Sequence, residues 1–259
     1  MVSKTEARQS LIVRLARERN LVTVDGLAHE LQVSAQTIRR DLNGLCQANI
    51  LRRRHGGAEL FEGPLNQPYD QRSTTNLRAK KAIGAAAAKA IPDNATIFIS
   101  IGTTPEMVAR ALVSKKGLTV VTNNLNAAMA LSQETSNRII LPGGELRLPD
   151  RDIIGDEALA LFENYRAEYG IFGVGGIDSD GSLLDFHSSE VRIREKIREH
   201  ARVSLLVVDS TKFGRAAPAA GGNIAEVDHI IMDERPTGAF SSLIEKVDDR
   251  LEIAKEPIA

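Results

Sequence analysis

Hydrophobic and polar residues alternate with two different periods along this chain of 259 residues. Up to about residue 60, apolar residues recur every three or four positions, which predicts helices over residues 5–19 and 24–31 and from Ala35 onward. Beyond residue 80, short apolar, β-branched runs alternate with amphipathic stretches. That order is typical of a mostly parallel sheet covered by helices on both faces. The pattern therefore predicts a small helical region followed by a larger α/β region.

The second region contains a series of candidate strands separated by candidate helices. We expect strands at residues 96–100, 118–122, 138–141, 170–174, 203–208, 230–233 and 251–254. We expect helices at residues 77–90, 105–113, 125–131, 156–164, 189–200 and 239–247. Ligands of such sheets bind beyond the carboxyl ends of the strands, so the loops there are the candidate functional segments.

The segment between the two regions has a different composition. Residues 61–80 contain Pro64 and Pro68 and show little periodicity, which favours a linker. The expected organisation is therefore a first domain over residues 1–60, a linker over residues 61–80 and a second domain over residues 81–259.

The third predicted helix and the segment after it have the features of a winged helix-turn-helix. Ser34 is suited to cap a helix that starts at Ala35, and Ile38, Leu42 and Leu45 form its apolar stripe. A basic run then leads to a turn at Gly56 and Gly57, which predicts a hairpin or wing. The expected DNA-binding residues are Ser34, Gln36, Thr37, Arg39, Arg40, Arg52, Arg53, Arg54 and His55.

Charge is distributed as this interpretation requires. Residues 1–60 carry ten Lys and Arg against six Asp and Glu, whereas the rest of the chain carries 23 against 28. Although the net charge of the whole chain is −1, the first domain is basic and therefore suited to bind the phosphate backbone of DNA. No apolar run approaches a membrane span and the N-terminus has no apolar signal core, so we expect a cytoplasmic protein. Cys46 is the single cysteine, and we expect a partly buried structural thiol.

Two features of the predicted strand ends suit an anionic ligand. Gly102, Thr103 and Thr104 follow a strand and open a helix, where small residues, hydroxyls and the helix N-terminus favour a phosphate or carboxylate. Lys212 adds a positive charge from another strand end. The chain has no Walker motif, no complete dinucleotide fingerprint and no paired histidine spacing, so we expect neither a nucleotide cofactor nor a metal.

An enzymatic alternative remains open at this stage. Asp185, His187 and Glu190 near one strand end could perform acid–base chemistry on a sugar, which would make the protein a sugar-phosphate isomerase-like enzyme with a DNA-binding appendage. Alternatively, Glu190 caps the first turn of its helix and Asp185 lines a polar pocket. A binding protein without catalytic residues is the leading hypothesis.

Several motifs, in order, resemble those of the DeoR family of bacterial sugar-metabolism repressors, and the resemblance covers about residues 5 to 254. The motifs are SAQTIRRDL at 34–42, RHGGA at 54–58, IGTT at 101–104, TNNLN at 122–126, LPGGEL at 141–146 and VDSTKFGR at 208–215. Residues 98–106 and 177–184 most resemble members that respond to glycerol 3-phosphate. One departure is Ser100, where many relatives have Asp.

The resemblance implies a winged helix-turn-helix joined to a sensor domain of the ribose-5-phosphate isomerase and CoA transferase type. It also implies a homo-oligomer, a dimer or tetramer, that leaves operator double-stranded DNA when a phosphorylated sugar or polyol binds. The implied inducer-binding residues are Gly102, Thr103, Thr104, Asn123, Asn124, Gly143, Gly144, Gly175, Asp180, Gly181 and Lys212.

Overall fold

The computed structural model describes residues 4–19, 21–47, 51–54, 56–60, 66 and 68–255. The chain divides into two compact units, Met1–Leu65 and Asn66–Ala259. None of the described helices is long and apolar enough to cross a membrane.

The first unit is a three-helix fold with a small antiparallel sheet. Its elements are α1 (Lys4–Arg19), β1 (Leu21–Thr23), α2 (Val24–Glu30), α3 (Ala35–Gln47), β2 (Leu51–Arg54) and β3 (Gly57–Leu60). The three predicted helices are confirmed, and Ile38, Leu42 and Leu45 are buried as expected. Cys46 is half-buried, and burial raises the pKa of its thiol.

The sheet of the first unit contains one strand that the sequence pattern did not predict. β3 lies between β1 and β2, so β1 extends the predicted hairpin to three strands. Gly57 makes this pairing possible, because a Cβ atom there would lie 2.0 Å from the carbonyl oxygen of Val22. Gly56 has φ +75°, which suits glycine at the turn. The hydrophobic core of the unit lies between this sheet and the helices.

The second unit is an α/β domain. Its helices are α4 (Tyr69–Thr74), α5 (Leu77–Ala90), α6 (Thr103–Ala111), α7 (Leu125–Leu131), α8 (Asp156–Asn164), α9 (Ser188–His200) and α10 (Ser241–Glu245). Its strands are β4 (Thr96–Ile99), β5 (Thr119–Thr122), β6 (Arg138–Ile140), β7 (Glu145–Arg147), β8 (Asp152–Ile154), β9 (Ala167–Phe172), β10 (Gly176–Ile177), β11 (Ser182–Asp185), β12 (Ala201–Val208), β13 (Ala219–Asn223), β14 (His229–Met232) and β15 (Leu251–Ile253).

A parallel sheet of seven strands forms the centre of this unit, in the order β15-β14-β12-β9-β4-β5-β6. These are the seven strands that the apolar runs predicted. Successive residues of one strand enter different cores: Ile97 of β4 packs in one hydrophobic cluster and Phe98 in the other. Burial on both faces explains why each run is apolar throughout rather than alternating.

The second unit differs from the sequence prediction in three places. The expected linker over residues 61–80 contains α4 and the start of α5, because Tyr69 is buried and its hydroxyl donates to Glu106. The expected helix at 239–247 is a short 3₁₀ turn, Gly238–Phe240, followed by α10. The short strands β7, β8, β10, β11 and β13 were not predicted, because each is too short to show a pattern of its own and is recognised by its pairing with a neighbouring strand.

Candidate functional site

The start of α3 has the cap that the sequence predicted. The Ser34 hydroxyl accepts a hydrogen bond from the backbone N–H of Thr37 at 3.1 Å, and the two hydroxyl oxygens lie 2.8 Å apart. The side chains of Gln36, Arg39 and Arg40 are exposed and form no hydrogen bond or ion pair with the described residues. The helix therefore presents one amide and two guanidinium groups to solvent, while Ser34 and Thr37 hold its first turn.

A buried ion pair positions α3 against α1. Asp41 is 3% exposed, and Arg8 donates to it through Nε and Nη2, the latter at 3.1 Å from Oδ1. The sequence pattern predicted the exposed face of α3 but not this ion pair, because nothing in the local pattern shows that Asp41 points toward α1. The bidentate geometry fixes the orientation of the helix as well as its position.

The wing carries the predicted basic residues on β2. Arg53 and Arg54 are exposed, and Arg54 Nε donates to Glu59 Oε2 on β3 at 2.7 Å. Of these two guanidinium groups, only that of Arg54 is paired with a described carboxylate. The prediction for His55 and that for the side chain of Arg52 lie outside the described residues, although the backbone of Arg52 belongs to β2.

A cavity lies at the carboxyl ends of the central strands in the second unit. The structure brings five of the expected inducer-binding residues to its wall: Gly102, Thr103, Thr104, Gly175 and Lys212. They follow β4, β9 and β12, three neighbouring strands of the sheet. The remaining lining residues are Asn66, Arg72, Ser100, Ile101, Pro105, Asp150, Gly173, Val174, Asp185, Phe186, Glu190, Arg194, Val207, Val208 and Arg215.

The first turn of α6 provides backbone donors at this cavity. Gly102 is the N-cap residue with φ +111°, and no side chain caps the helix. The next two residues, Thr103 and Thr104, are buried against the cavity wall. An α-helix leaves its first N–H groups without intrahelical partners, and its N-terminus carries partial positive charge. An anion in the cavity would accept hydrogen bonds from these N–H groups and would be attracted by the partial positive charge.

Neither of the two expected asparagines lines the cavity, and Asn124 supports this loop from behind. Asn124 caps α7, its Oδ1 accepting from the N–H of Ala127 at 3.1 Å. Its Nδ2 donates to the carbonyl oxygens of Ser100 and Gly102 at 3.2 and 3.3 Å. Asn123 Nδ2 donates to the carbonyl of Ile153 at 3.1 Å. Both side chains are buried, but only Asn124 holds the backbone on which the candidate anion site is built, whereas Asn123 holds β8.

Four other expected residues are not brought to the cavity. Gly143 and Gly144 are exposed just before β7. Asp180 and Gly181 form the turn between β10 and β11, where Asp180 Oδ1 accepts from the N–H of Ser182 at 2.8 Å. None of the four is among the residues that line the cavity. A role for them in ligand binding stays a prediction.

The cavity contains more cations than the sequence indicated. Burial lowers the pKa of Lys212 to about 8, since a charged ammonium loses its hydration there. Arg215 donates to the carbonyl of Gly175 at 3.1 Å, and its guanidinium lies 4.8 Å from the centre of the Phe186 ring. Arg72 of α4 reaches the same wall and pairs with Asp150. Arg215 ends the VDSTKFGR motif and could have been found there, whereas Arg72 lies in the expected linker.

The two carboxylates of the enzymatic hypothesis are engaged in structural hydrogen bonds. Glu190 Oε2 accepts from the N–H groups of Phe186 and His187, both at 3.2 Å, which closes a capping box on α9. Its Oε1 accepts from Arg147 Nη2 at 2.7 Å. This geometry favours the interpretation of Glu190 as a helix cap.

Asp185 is likewise bonded through both oxygens. Oδ1 accepts from the N–H of Gly175 and Oδ2 from Arg194 Nε, each at 2.9 Å. Burial raises the pKa of Asp185 to about 6, although the Arg194 guanidinium acts in the opposite direction. Asp185 thus joins the glycine loop after β9 to α9. Among the described residues, no cluster of His, Cys, Asp and Glu is suited to hold a metal ion.

Comparison with known proteins identifies both units. Residues 8–63 match the DeoR-like helix-turn-helix domain, and residues 75–234 match the DeoR C terminal sensor domain. The chain is 45% identical over 233 residues to the glycerol-3-phosphate regulon repressor of Escherichia coli (strain K12), covering 90% of this chain and 92% of that protein. It is 39% identical over 246 residues to the HTH-type transcriptional repressor CsqR of the same organism, covering 95% and 94%.

Among solved structures, ribose 5-phosphate isomerase A from Methanocaldococcus jannaschii matches 54% of this chain and 55% of its own chain. The TM-score is 0.39 and the sequence identity is 14%.

Proposed function

Because the chain belongs to the DeoR family of transcriptional repressors, we propose that its DNA binding is relieved by a phosphorylated polyol or sugar, and specifically by glycerol 3-phosphate. The relatives are repressors and not enzymes, and this chain is likewise a DNA-binding repressor. The naming of the relative at 45% identity after the glycerol-3-phosphate regulon supports the choice of inducer.

One observation carries the inducer proposal: a helix N-terminus without a side-chain cap and two half-buried cations line the same cavity. The first turn of α6 at Gly102 offers backbone N–H groups, and Lys212 and Arg215 supply positive charge. Backbone donors at a helix N-terminus together with Lys and Arg form a favourable environment for a phosphate monoester. The polyol part would then contact the polar wall formed by Ser100, Asp150 and Asp185.

The DNA-binding surface we propose consists of α3 and the wing of the first unit. Gln36, Thr37 and Arg40 would read base edges in the major groove, since they start the recognition helix. Arg53 would contact the phosphate backbone. The remaining residues of the proposed surface, which add backbone contacts or hold the helix, are Ser34, Arg39, Arg52, Arg54 and His55.

We propose that the protein acts in the cytoplasm as a homo-oligomer, a dimer or tetramer, that presents two such surfaces to two half-sites. Glycerol 3-phosphate would release DNA by binding more tightly to an arrangement that does not match the half-site spacing. A ligand shifts such an equilibrium only by its difference in affinity between the two arrangements.

The test uses the full chain and a DNA fragment selected by the protein from a random pool. Fluorescence anisotropy would follow release on titration with glycerol 3-phosphate, with glycerol and ribose 5-phosphate as comparison ligands. We expect release by glycerol 3-phosphate and none by glycerol, which lacks the phosphate. Lys212→Gln should bind DNA normally and need at least about tenfold more ligand, because it loses a charge-assisted contact. Release by neither phosphate ester would contradict the proposal.

A further inference from the structure

α4 is the helix through which the chain enters the second unit. That unit begins at Asn66, and α4 follows directly at Tyr69–Thr74. The segment that leads from the DNA-binding unit therefore ends at α4. A change in how α4 is held acts on this segment at once, so the contacts of α4 decide what the first unit can sense of the second.

Two ion pairs hold α4 to the turn between β7 and β8. Arg72 of α4 donates to Asp150 Oδ1, and Arg151 Nη2 donates to Asp70 Oδ1 of α4 at 2.8 Å. Asp150 and Arg151 are neighbours in the turn. The two pairs run in opposite directions, since each partner supplies one carboxylate and one guanidinium. This crossed arrangement fixes both the position and the orientation of α4 on the turn.

Tyr69 connects the same helix to α6. Its ring lies between two cations, with the guanidinium carbons of Arg72 and Arg151 at 5.6 and 5.3 Å from its centre. Its hydroxyl donates to Glu106, a buried residue in the first turn of α6. Burial and the Glu106 carboxylate raise the pKa of Tyr69, so the phenol keeps its proton and remains a donor. We call the contacts of Tyr69, Asp70 and Arg72 with α6 and the turn the α4 clamp.

The α4 clamp shares one ion pair with the inducer cavity. Arg72 and Asp150 both line that cavity, whereas the other members of the clamp, Tyr69, Asp70, Glu106 and Arg151, are not among the lining residues. A phosphate group in the cavity competes with Asp150 for the guanidinium of Arg72, because both are planar or tetrahedral oxyanions that accept from the same donors. Asp150 has a second partner in Arg147, whose Nε lies 3.5 Å from Oδ2. The pair can therefore open without leaving Asp150 uncompensated.

We propose that the α4 clamp is the switch by which the inducer cavity controls DNA binding, an inference that rests on the proposed function. The closed clamp belongs to the arrangement that binds DNA. Phosphate draws Arg72 away from Asp150, opens the clamp and releases α4. Ligand binding and the closed clamp oppose each other, so any change that weakens the clamp must strengthen ligand binding.

Tyr69→Phe and Arg151→Gln test the switch, because each weakens the clamp at a residue outside the cavity wall. Loss of one hydrogen bond or one partly exposed ion pair shifts the balance between open and closed clamp by about threefold to tenfold. Calorimetry of the full chain should show tighter binding of glycerol 3-phosphate by about the same factor. The concentration that releases half of the DNA, followed by fluorescence anisotropy, should fall likewise.

Arg110→Gln is the matched control. Arg110 also pairs with Glu106, but it lies on α6 itself and makes no contact with the α4 clamp, so this variant should behave like the parent. Tighter ligand binding separates a switch from a structural role, because general damage to the second unit weakens binding. Arg151 is exposed, so its variant supports the test even if Tyr69→Phe folds poorly.

Two results would overturn the switch, and they are distinguishable. Normal release of DNA from the parent, with ligand binding unchanged or weaker in both variants, would contradict the α4 clamp alone. No release from the parent by glycerol 3-phosphate or by ribose 5-phosphate would contradict the proposed function, and the switch together with it.

Discussion

Arg8 on α1 holds the buried carboxylate of Asp41 on the recognition helix α3, with Nη2 and Oδ1 3.1 Å apart. The two residues are 33 positions apart in the sequence. The pair joins α3, the helix that we propose to face DNA, to the helix behind it. Its effect on function would be through the orientation of α3, since neither charge belongs to the exposed surface that we assign to DNA.

Arg8→Ala should destabilise the first unit by about 1–3 kcal/mol, because Asp41 would stay buried without its charged partner. Urea unfolding followed by circular dichroism would measure the loss. Arg14→Ala, an exposed arginine on the same helix, should change the unfolding free energy little. If both variants unfold alike, the pair does not contribute to stability.

The recognition helix and the wing should respond differently to loss of an arginine. Arg40→Ala should weaken binding to the preferred DNA by about 1–3 kcal/mol and relax sequence preference, because it removes a base contact. Arg53→Ala should weaken binding to all sequences and lower the salt slope by about one, because it removes a phosphate contact. Gel shifts across a salt series on preferred and scrambled DNA would separate the two effects.

Arg192→Ala, in the second unit, is the control for both substitutions. If Arg40→Ala instead lowered the salt slope and left sequence preference intact, its proposed role would have to be exchanged with that of Arg53.

Inducer affinity should fall as the pH rises from 7 to 9. Lys212 has a pKa of about 8, so its ammonium is mostly charged below that pH and mostly neutral above it. An anionic ligand binds the charged form, and the phosphate monoester is fully ionised across this range, since its second pKa is about 6. Calorimetric titration with glycerol 3-phosphate at several pH values would measure the change.

Lys212→Gln supplies the comparison for the pH series. It should bind weakly at pH 7 and lose most of the pH dependence. A steep dependence that persists in this variant would assign the titration to another group.

The buried pair of Arg194 and Asp185 should be essential for the stability of the second unit. Arg194 is 1% exposed and also donates to the carbonyl of Gly221 at 2.7 Å. Arg194→Met should destabilise the unit by about 3–5 kcal/mol, because it leaves the Asp185 carboxylate buried without its cation. Thermal unfolding of the full chain would measure this.

Two further variants make the test of Arg194 specific. Arg192→Ala, an exposed arginine two positions earlier on α9, should have little effect. Arg194→Lys should restore only part of the stability, because one ammonium cannot reproduce the planar geometry of three guanidinium contacts. Full stability in Arg194→Met would show that the surrounding packing compensates for the pair.

The sequence by itself determined the elements whose signals are local. The seven central strands are apolar throughout because both faces of the sheet are covered, and α3 begins at Ala35 because Ser34 caps it. The family motifs also located the glycine and hydroxyl loop at Gly102 and the lysine at position 212. Each of these depends on a few neighbouring residues, so each can be recognised in a single stretch of chain.

Only the tertiary structure decided which of the motif residues face one cavity. It placed Gly102 and Lys212 on one wall, put Asn124 behind that wall as a support, and added Arg72 from a segment that resembled a linker. The partner of Asp41 and the burial of Lys80 are equally invisible in the sequence. The physical reason is that packing and burial, which set these contacts and charges, depend on residues far apart along the chain.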